Sequence, residues 1–160
     1  MNKVVVIIPA LNEADAIAHV MRAIPSALVD RVIVVDGGST DGTVAIARAA
    51  GADVVLQPRR GYGNACAAGV AAAPDADVLV FLDGDGSFDP AQIDALIAPI
   101  LADQVELVLG SRELGGIDRA SMPPQQRFGN RLVAWLLHRL YGLNVTDVGP
   151  FRAIRRSTLE

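Results

Sequence analysis

The feature that most constrains this chain is a regular alternation of short, β-branched apolar runs with longer stretches of helical spacing. Residues 4–8 form a continuous apolar run, as expected for a strand covered on both faces. Residues 31–35, 53–56, 78–82 and 105–109 repeat the strand signal, and 151–154 reads as a short further strand. Between them, residues 13–28 place Ile17, Val20, Met21, Ile24 and Leu28 on one helical stripe. Residues 40–50 read as a helix capped by Ser39 or Asp41, and 63–73 as an alanine-rich helix ended by Pro74. Residues 91–102 read as a helix with Pro90 at its first position, and 128–141 as another, following a loop over 115–124. This order predicts a single α/β domain over residues 1–160, an open, mostly parallel, doubly wound sheet with helices on both faces. In such a sheet ligands collect beyond the carboxyl ends of the strands, so what each strand delivers to that edge becomes the question.

Bulk properties narrow the class. Apolar residues make up 51% and charged residues 20%, the balance of a chain with a packed core. The apolar runs are strand-length, and 132–143 is interrupted by His138 and Arg139, well short of the ~20 residues a spanning helix needs. Lys3 is followed by only five apolar residues before Pro9, unlike a signal peptide. One cysteine, Cys66, excludes an intrachain disulfide and a cysteine-based zinc site, and among alanines it reads as a small helix residue. Charge is uneven. Residues 1–100 hold 12 acids and 6 bases, whereas 101–160 hold 6 acids and 8 bases, all of the latter arginine. An acidic first part suits a cation and an arginine-rich remainder suits anionic ligands. The chain stops at residues 155–160 without a closing element and is expected to continue.

The strand ends carry the candidate chemistry. The first delivers Pro9, Asn12 and Glu13, with neither the glycine fingerprint of a dinucleotide fold nor a P-loop. The second ends at Asp36, followed by Gly37, Gly38, Ser39, Thr40 and Asp41; the later residues suit a helix cap while Asp36 faces a ligand. Arg59 and Arg60 precede the glycine-flanked helix start Gly61-Tyr62-Gly63, a setting that favours phosphate. The fourth strand ends at Asp83-Gly84-Asp85-Gly86-Ser87. Two carboxylates one residue apart repel unless a cation or proton lies between them, and hard oxygen ligands suit Mg²⁺ or Mn²⁺ shared with substrate phosphates.

In order and spacing, residues 9–13, 34–43, 60–65, 81–90 and Gly110-Ser111-Arg112 resemble the family 2 glycosyltransferases of GT-A fold. Residues 147–153 resemble the closing D-x-x-x-G/P-F-R-A segment of the dolichyl-phosphate mannosyltransferases and related bacterial enzymes. The resemblance covers essentially the whole chain. It implies that Pro9, Asn12, Glu13 and Asp36 hold a nucleotide, that Asp83 lies near ribose and metal, and that Asp85 is the main ligand of Mg²⁺ or Mn²⁺; the Ser87 hydroxyl, two residues on, could coordinate the same ion. It also implies that Arg60 and Arg112 face phosphates and that a sugar is transferred with inversion from a UDP- or GDP-sugar. Two positions depart from the pattern: Gly37 stands where many relatives have a second aspartate, and Ser87 where a glutamine is common.

Mechanistically, a polyprenyl-phosphate acceptor is already an anion and needs no general base; Arg112, Arg127 and Arg131 would position it. A sugar hydroxyl would need a carboxylate, for which Asp147 is the candidate. The stripe Leu132, Trp135, Leu136 and Leu140, flanked by arginines, suits core packing or a membrane surface. The expected location is cytoplasmic, at the membrane surface where the acceptor is a lipid; no nucleic-acid partner is expected. The alternatives are a non-catalytic nucleotide-binding module and, behind it, a phosphohydrolase of the haloacid dehalogenase type, whose D-x-D sits on the first strand and not the fourth.

Overall fold

The first apolar run becomes the central strand of the sheet. In the computed structural model, which describes residues 2–110, 139 and 149–159, β1 (Val4–Ala10) pairs in parallel with β2 (Arg31–Asp36) on one side and β4 (Val78–Phe81) on the other. Both faces and both edges of β1 are therefore covered, and Val5, Val6, Ile7 and Ile8 are each 0% exposed. This is why the run carries no polar alternation. The parallel strand β3 (Asp53–Leu56) extends the sheet beyond β2. On the other side β6 (Arg152–Arg155) lies between β4 and β5 (Leu107–Leu109), antiparallel to both, giving the order β3-β2-β1-β4-β6-β5.

Alternate residues of the strands feed two core layers. Val4, Val6, Ile8, Val34 and Val80 pack with Ile17 and Val20 of α1 (Ala14–Ala23), Ala47 of α2 (Thr43–Ala49), and Ile93, Ile97 and Ile100 of α4 (Ile93–Leu101). Val5, Ile7, Ile33, Val35, Leu79 and Phe81 pack on the opposite face, where α3 (Tyr62–Ala71) contributes Ala65. The alanine and glycine content of α3 has a steric cause. A Cβ at Gly69 would lie 2.4 Å from Ile7 Cγ2, so the helix lies too close to the sheet for any side chain there.

Several boundaries differ from the sequence reading. The first helix ends at Ala23, not Leu28, because Ile24 precedes Pro25 and is extended (φ −67°, ψ 127°). The second begins at Thr43, after a left-handed Gly42 (φ 95°), so neither Ser39 nor Asp41 is its formal cap. Pro90 opens a 3-10 turn, Pro90–Gln92, and α4 follows it; the Asp89 carboxylate accepts from Ala91 N (3.0 Å) and caps that turn. The strand expected over 105–109 is confined to Leu107–Leu109. The expected loop at 115–124 and nearly all of the expected helix at 128–141 lie outside the described residues.

The sheet's two edges differ in kind. At the amino ends of the parallel strands, Lys3 pairs with Asp75, and Arg31 with Asp53 (2.9 Å) and Asp75 (3.5 Å). The carboxyl ends open instead into a cleft. No helix among the described residues is long and apolar enough to cross a membrane.

Candidate active site

Strand β1 outruns β4. Leu82 N donates to Ile7 O (3.1 Å), and β4 then leaves the sheet, so Pro9, facing the same side two residues on, has no neighbour to donate to. A proline costs no ladder hydrogen bond there. The gap left by the departing strand is a cleft of about 300 Å³, lined by Pro9, Glu13, Arg59, Arg60, Asp83 and Asp85, with Leu11, Gly37 and Tyr62 among its further walls. Gly84 is tucked underneath, where a Cβ would touch Ile8 Cγ2 and Ile17 Cδ1, both at 3.4 Å. That close seat sends the carboxylates on either side of it into the cleft.

The loops after β1 and β2 are stitched together by hydrogen bonds. Asn12, with a left-handed backbone (φ 58°), donates its N–H to Ser39 Oγ (2.8 Å), and its Oδ1 accepts from Thr40 N (2.9 Å). Glu13 N donates to Thr43 Oγ1 (2.9 Å), and that hydroxyl donates to Asp41 Oδ1 (2.5 Å). Asp41 also accepts from Ala14 N (3.1 Å) and Thr43 N (3.1 Å). The Thr43 hydroxyl above all, helped by the two backbone N–H groups, holds the Asp41 carboxyl below the usual carboxylate range.

Asp36 is 3% exposed, and its carboxylate accepts from Gly38 N (3.0 Å) and Ser39 N (3.1 Å). It therefore builds the turn that presents Gly37 to the cleft. Asp85, by contrast, is exposed; its Oδ1 accepts from Ser87 N (2.8 Å). Glu13 titrates above the ordinary glutamate value, first because it is partly desolvated and then because Asp85 and Asp41 repel its charge.

The residues thus suit a divalent cation brought in with a diphosphate. Glu13, whose ionisation Asp85 opposes, shares the cleft with Asp83 and Asp85, and a positive ion would relieve that repulsion. Among the described residues no three His, Cys, Asp or Glu side chains form a ligand group. Phosphate and water oxygens would have to complete the shell around one or two carboxylates, the usual arrangement for Mg²⁺ and similar ions.

Of the residues expected from sequence, Pro9, Glu13, Arg60, Asp83 and Asp85 meet in this cleft. Asn12 and Asp36 organise its walls, and Ser87 supplies a backbone N–H to Asp85. Arg112, Arg127, Arg131 and Asp147 lie outside the described residues. Sequence reasoning assigned no ligand to Leu11 or Tyr62, both of which line the cleft, and Arg59 lines it beside Arg60 as the phosphate-favouring pair suggested. Their nearness to the candidate motifs was the available signal.

Comparison with known proteins decides the lineage. The family model for Glycosyl transferase family 2 matches residues 5–160. The chain belongs to that family. An uncharacterised glycosyltransferase of Mycobacterium tuberculosis is 40% identical over 159 residues, covering 99% of this chain and 70% of the relative. A UDP-N-acetylglucosamine–dolichyl-phosphate N-acetylglucosaminyltransferase of Methanococcus voltae is 30% identical, covering 96% of this chain and 70% of the relative. The crystal structure of glucosyl-3-phosphoglycerate synthase from M. tuberculosis, in complex with Mn²⁺, UDP-glucose and phosphoglyceric acid, superposes with a TM-score of 0.79 at 31% identity. It covers 99% of this chain, which spans 58% of that protein's length. The six-stranded mixed sheet of this family 2 chain is thus that of a GT-A glycosyltransferase. Family membership also removes the phosphohydrolase alternative.

Proposed function

We propose that this chain binds a nucleoside-diphosphate sugar, with UDP as the nucleotide, and transfers the sugar with inversion to a phosphate-bearing acceptor. One observation carries the reading: Asp83 and Asp85 share a cleft with Arg59 and Arg60 at the carboxyl edge of the parallel strands. Carboxylates suit a divalent ion on a diphosphate, and guanidinium groups suit the phosphates themselves. In this reading Asp85, aided by Asp83, holds Mg²⁺ or Mn²⁺. Such an ion, when bound, supplies positive charge against the negative charge that develops on the departing diphosphate. Pro9, Leu11 and Gly37 form the wall for the base, the stitched loops of Asn12 and Asp36 keep that wall in place, and Glu13 and Arg60 reach the ribose and phosphates.

The acceptor side draws on residues 101–160. The M. voltae relative is named for a dolichyl-phosphate acceptor, and the M. tuberculosis structure holds phosphoglyceric acid, so both point to an acceptor carrying phosphate. Arg112, Arg127 and Arg131 would position a polyprenyl phosphate, which would place the chain at the cytoplasmic membrane surface. Asp147 would serve as base only for a hydroxyl acceptor.

Calorimetry with UDP and GDP, each with and without Mn²⁺, tests the donor half. Metal-dependent binding of UDP that is lost in Asp85→Ala is the expected result. Metal-independent binding, or tighter binding of GDP, would refute the reading in that form. Nucleotide binding without transfer to any phosphate acceptor would instead favour a non-catalytic binding module.

A further inference from the structure

The loop that follows β4 is held at two points, and the second of them reaches the antiparallel strand. Residues 83–89 carry Asp83 and Asp85, two glycines, Ser87 and Asp89, with Phe88 as the one apolar side chain. Gly84 is the first fixed point, seated against Ile8 and Ile17. Phe88 is the second: it is 5% exposed, and its ring lies 5.2 Å from that of Phe151, tilted by 39°. That separation and tilt are those of a favourable aromatic pair. Asp85 stands between the two points, exposed, with its Oδ1 accepting from Ser87 N, a contact within the loop itself. The loop is therefore set from below, by the seat of Gly84 and the ring of Phe88.

Phe151 is placed to serve as the anchor. It immediately precedes β6, is 1% exposed, and belongs to the core layer of Leu82, Ile97 and Ile100. Its carbonyl accepts from Gly110 N (2.8 Å), which ties it to the residue that follows β5. The packing there leaves no slack. A Cβ at Gly110 would lie 2.7 Å from Phe151 Cδ1 and 3.0 Å from Phe151 O, so the glycine admits the ring and confines it on that side. Because β6 runs antiparallel to both β4 and β5, Gly110 and Phe151 stand at the edge of the sheet where β4 ends, the edge of the cleft.

We propose that Phe151 is a positioning residue of the metal site: stacked on Phe88 and confined by Gly110, it sets where the loop of Asp83 and Asp85 stands beside the cleft. This rests on the reading above in which Asp85 holds the divalent ion. Phe151 acts from the core, through Phe88. A small displacement of a ligating carboxylate weakens what the ion contributes to binding. It leaves in place the nucleotide's own contacts, which that reading draws from Pro9, Leu11 and Gly37. A loss confined to the metal-dependent part of binding is therefore the mark of positioning, whereas a loosened core lowers stability alone.

The experiment measures UDP affinity by calorimetry in Mn²⁺ and in EDTA and takes the ratio of the two, with thermal melting as the folding control. Phe151→Leu and Phe88→Leu should each lower the ratio about tenfold, while UDP affinity in EDTA stays within about threefold of the parent. The double substitution should cost little more than either alone, because both break the same contact. Gly110→Ala should lower the ratio with both rings intact, and should do less in the Phe151→Leu background, where the smaller side chain leaves room. Ile33→Val, fully buried in the opposite layer, is the control for loosening: it should melt lower and keep the parent ratio. Should Phe151→Leu fail to fold, Phe88→Leu and Gly110→Ala decide. Variants that melt lower but keep the parent ratio overturn the proposal and leave the donor reading intact, as does a ratio that falls equally in Ile33→Val. A parent chain whose UDP binding does not depend on Mn²⁺ overturns both.

Discussion

Two loops of this protein are written in nearly the same letters and behave differently. Residues 36–43 and 83–87 are both aspartate- and glycine-rich, and both follow buried parallel strands. In the first, Asp36 and Asp41 spend their oxygens on the backbone N–H groups of Gly38, Ser39, Thr43 and Ala14, and Asp36 is buried in the process. In the second, Asp83 and Asp85 line the cleft, and Asp85 meets the N–H of Ser87 from an exposed position. The difference lies in the backbone around them. The first loop curls back on its own carboxylates and is joined to the Asn12 loop. The second is seated by Gly84 against Ile8 and Ile17, which leaves its acids facing outward. Asp36 is structural because it is buried with two amides on its carboxylate, whereas Asp85 is exposed with one and keeps its remaining oxygen for a ligand.

Substitution should separate the two loops cleanly. The largest effect is expected from Asp85→Ala, which should lose on the order of 100-fold in metal-dependent nucleotide affinity, two tenfold steps. Its melting temperature should stay within a degree or two, because the carboxylate is exposed and its loss frees one solvent-accessible N–H. Asp36→Ala should do the reverse. Stranding the N–H groups of Gly38 and Ser39 costs about 2–3 kcal/mol, or roughly 5–10 °C in a domain of this size. Nucleotide affinity measured well below the melting temperature should fall less than in Asp85→Ala. If Asp36→Ala instead melted like the parent and lost binding outright, the contrast between the loops would be wrong and Asp36 would be a ligand contact.

This contrast also marks how far the sequence could be read. The four parallel strands were legible because each centres on an apolar run rich in valine or isoleucine, and the candidate cleft was legible because such strands deliver their following residues to one edge. Asp36 was expected to face a ligand, since nothing in the letters tells whether the amides of Gly38 and Ser39 turn toward it. The place of β6 was not legible either. Four residues, Arg152–Arg155, set two apolar side chains between two arginines and give no hint that they enter between β4 and β5 in the opposite sense. For that reason Arg152 entered only as one charge among eight and as a letter of the closing family segment, with no role of its own. Helix ends failed where proline chemistry was underweighted, at Ile24-Pro25 and at Pro90.

Smaller effects test the same contrast by pH. Asp41 titrates below its ordinary value, so its contribution to stability is complete above the ordinary aspartate range and disappears as pH falls through the depressed value. Acid unfolding followed by circular dichroism should therefore be less steep in Asp41→Asn than in the parent, with the two curves closing on each other at the acid end. A parent-like slope would mean that the Thr43 hydroxyl and the Ala14 amide do not hold this carboxylate in its charged form.

Glu13 should show the opposite sign. Its folded-state value is raised, by burial and by the charges of Asp85 and Asp41, so its ionisation opposes folding. That penalty is absent below the ordinary glutamate value, grows as pH rises through it and is complete above the raised folded value. Glu13→Gln should consequently melt slightly higher than the parent at pH 7 and at the same temperature near pH 3. Saturating Mn²⁺ with UDP should shrink the difference at pH 7, because a cation beside Asp85 removes part of the repulsion that the substitution removes. A Glu13→Gln gain that persists unchanged at pH 3 would trace to packing against Gly84 and not to charge. A gain at pH 7 that vanishes in acid and contracts on ligand binding would identify Glu13 as the acid that connects the structural loop, through Asp41, to the chemical one, through Asp85.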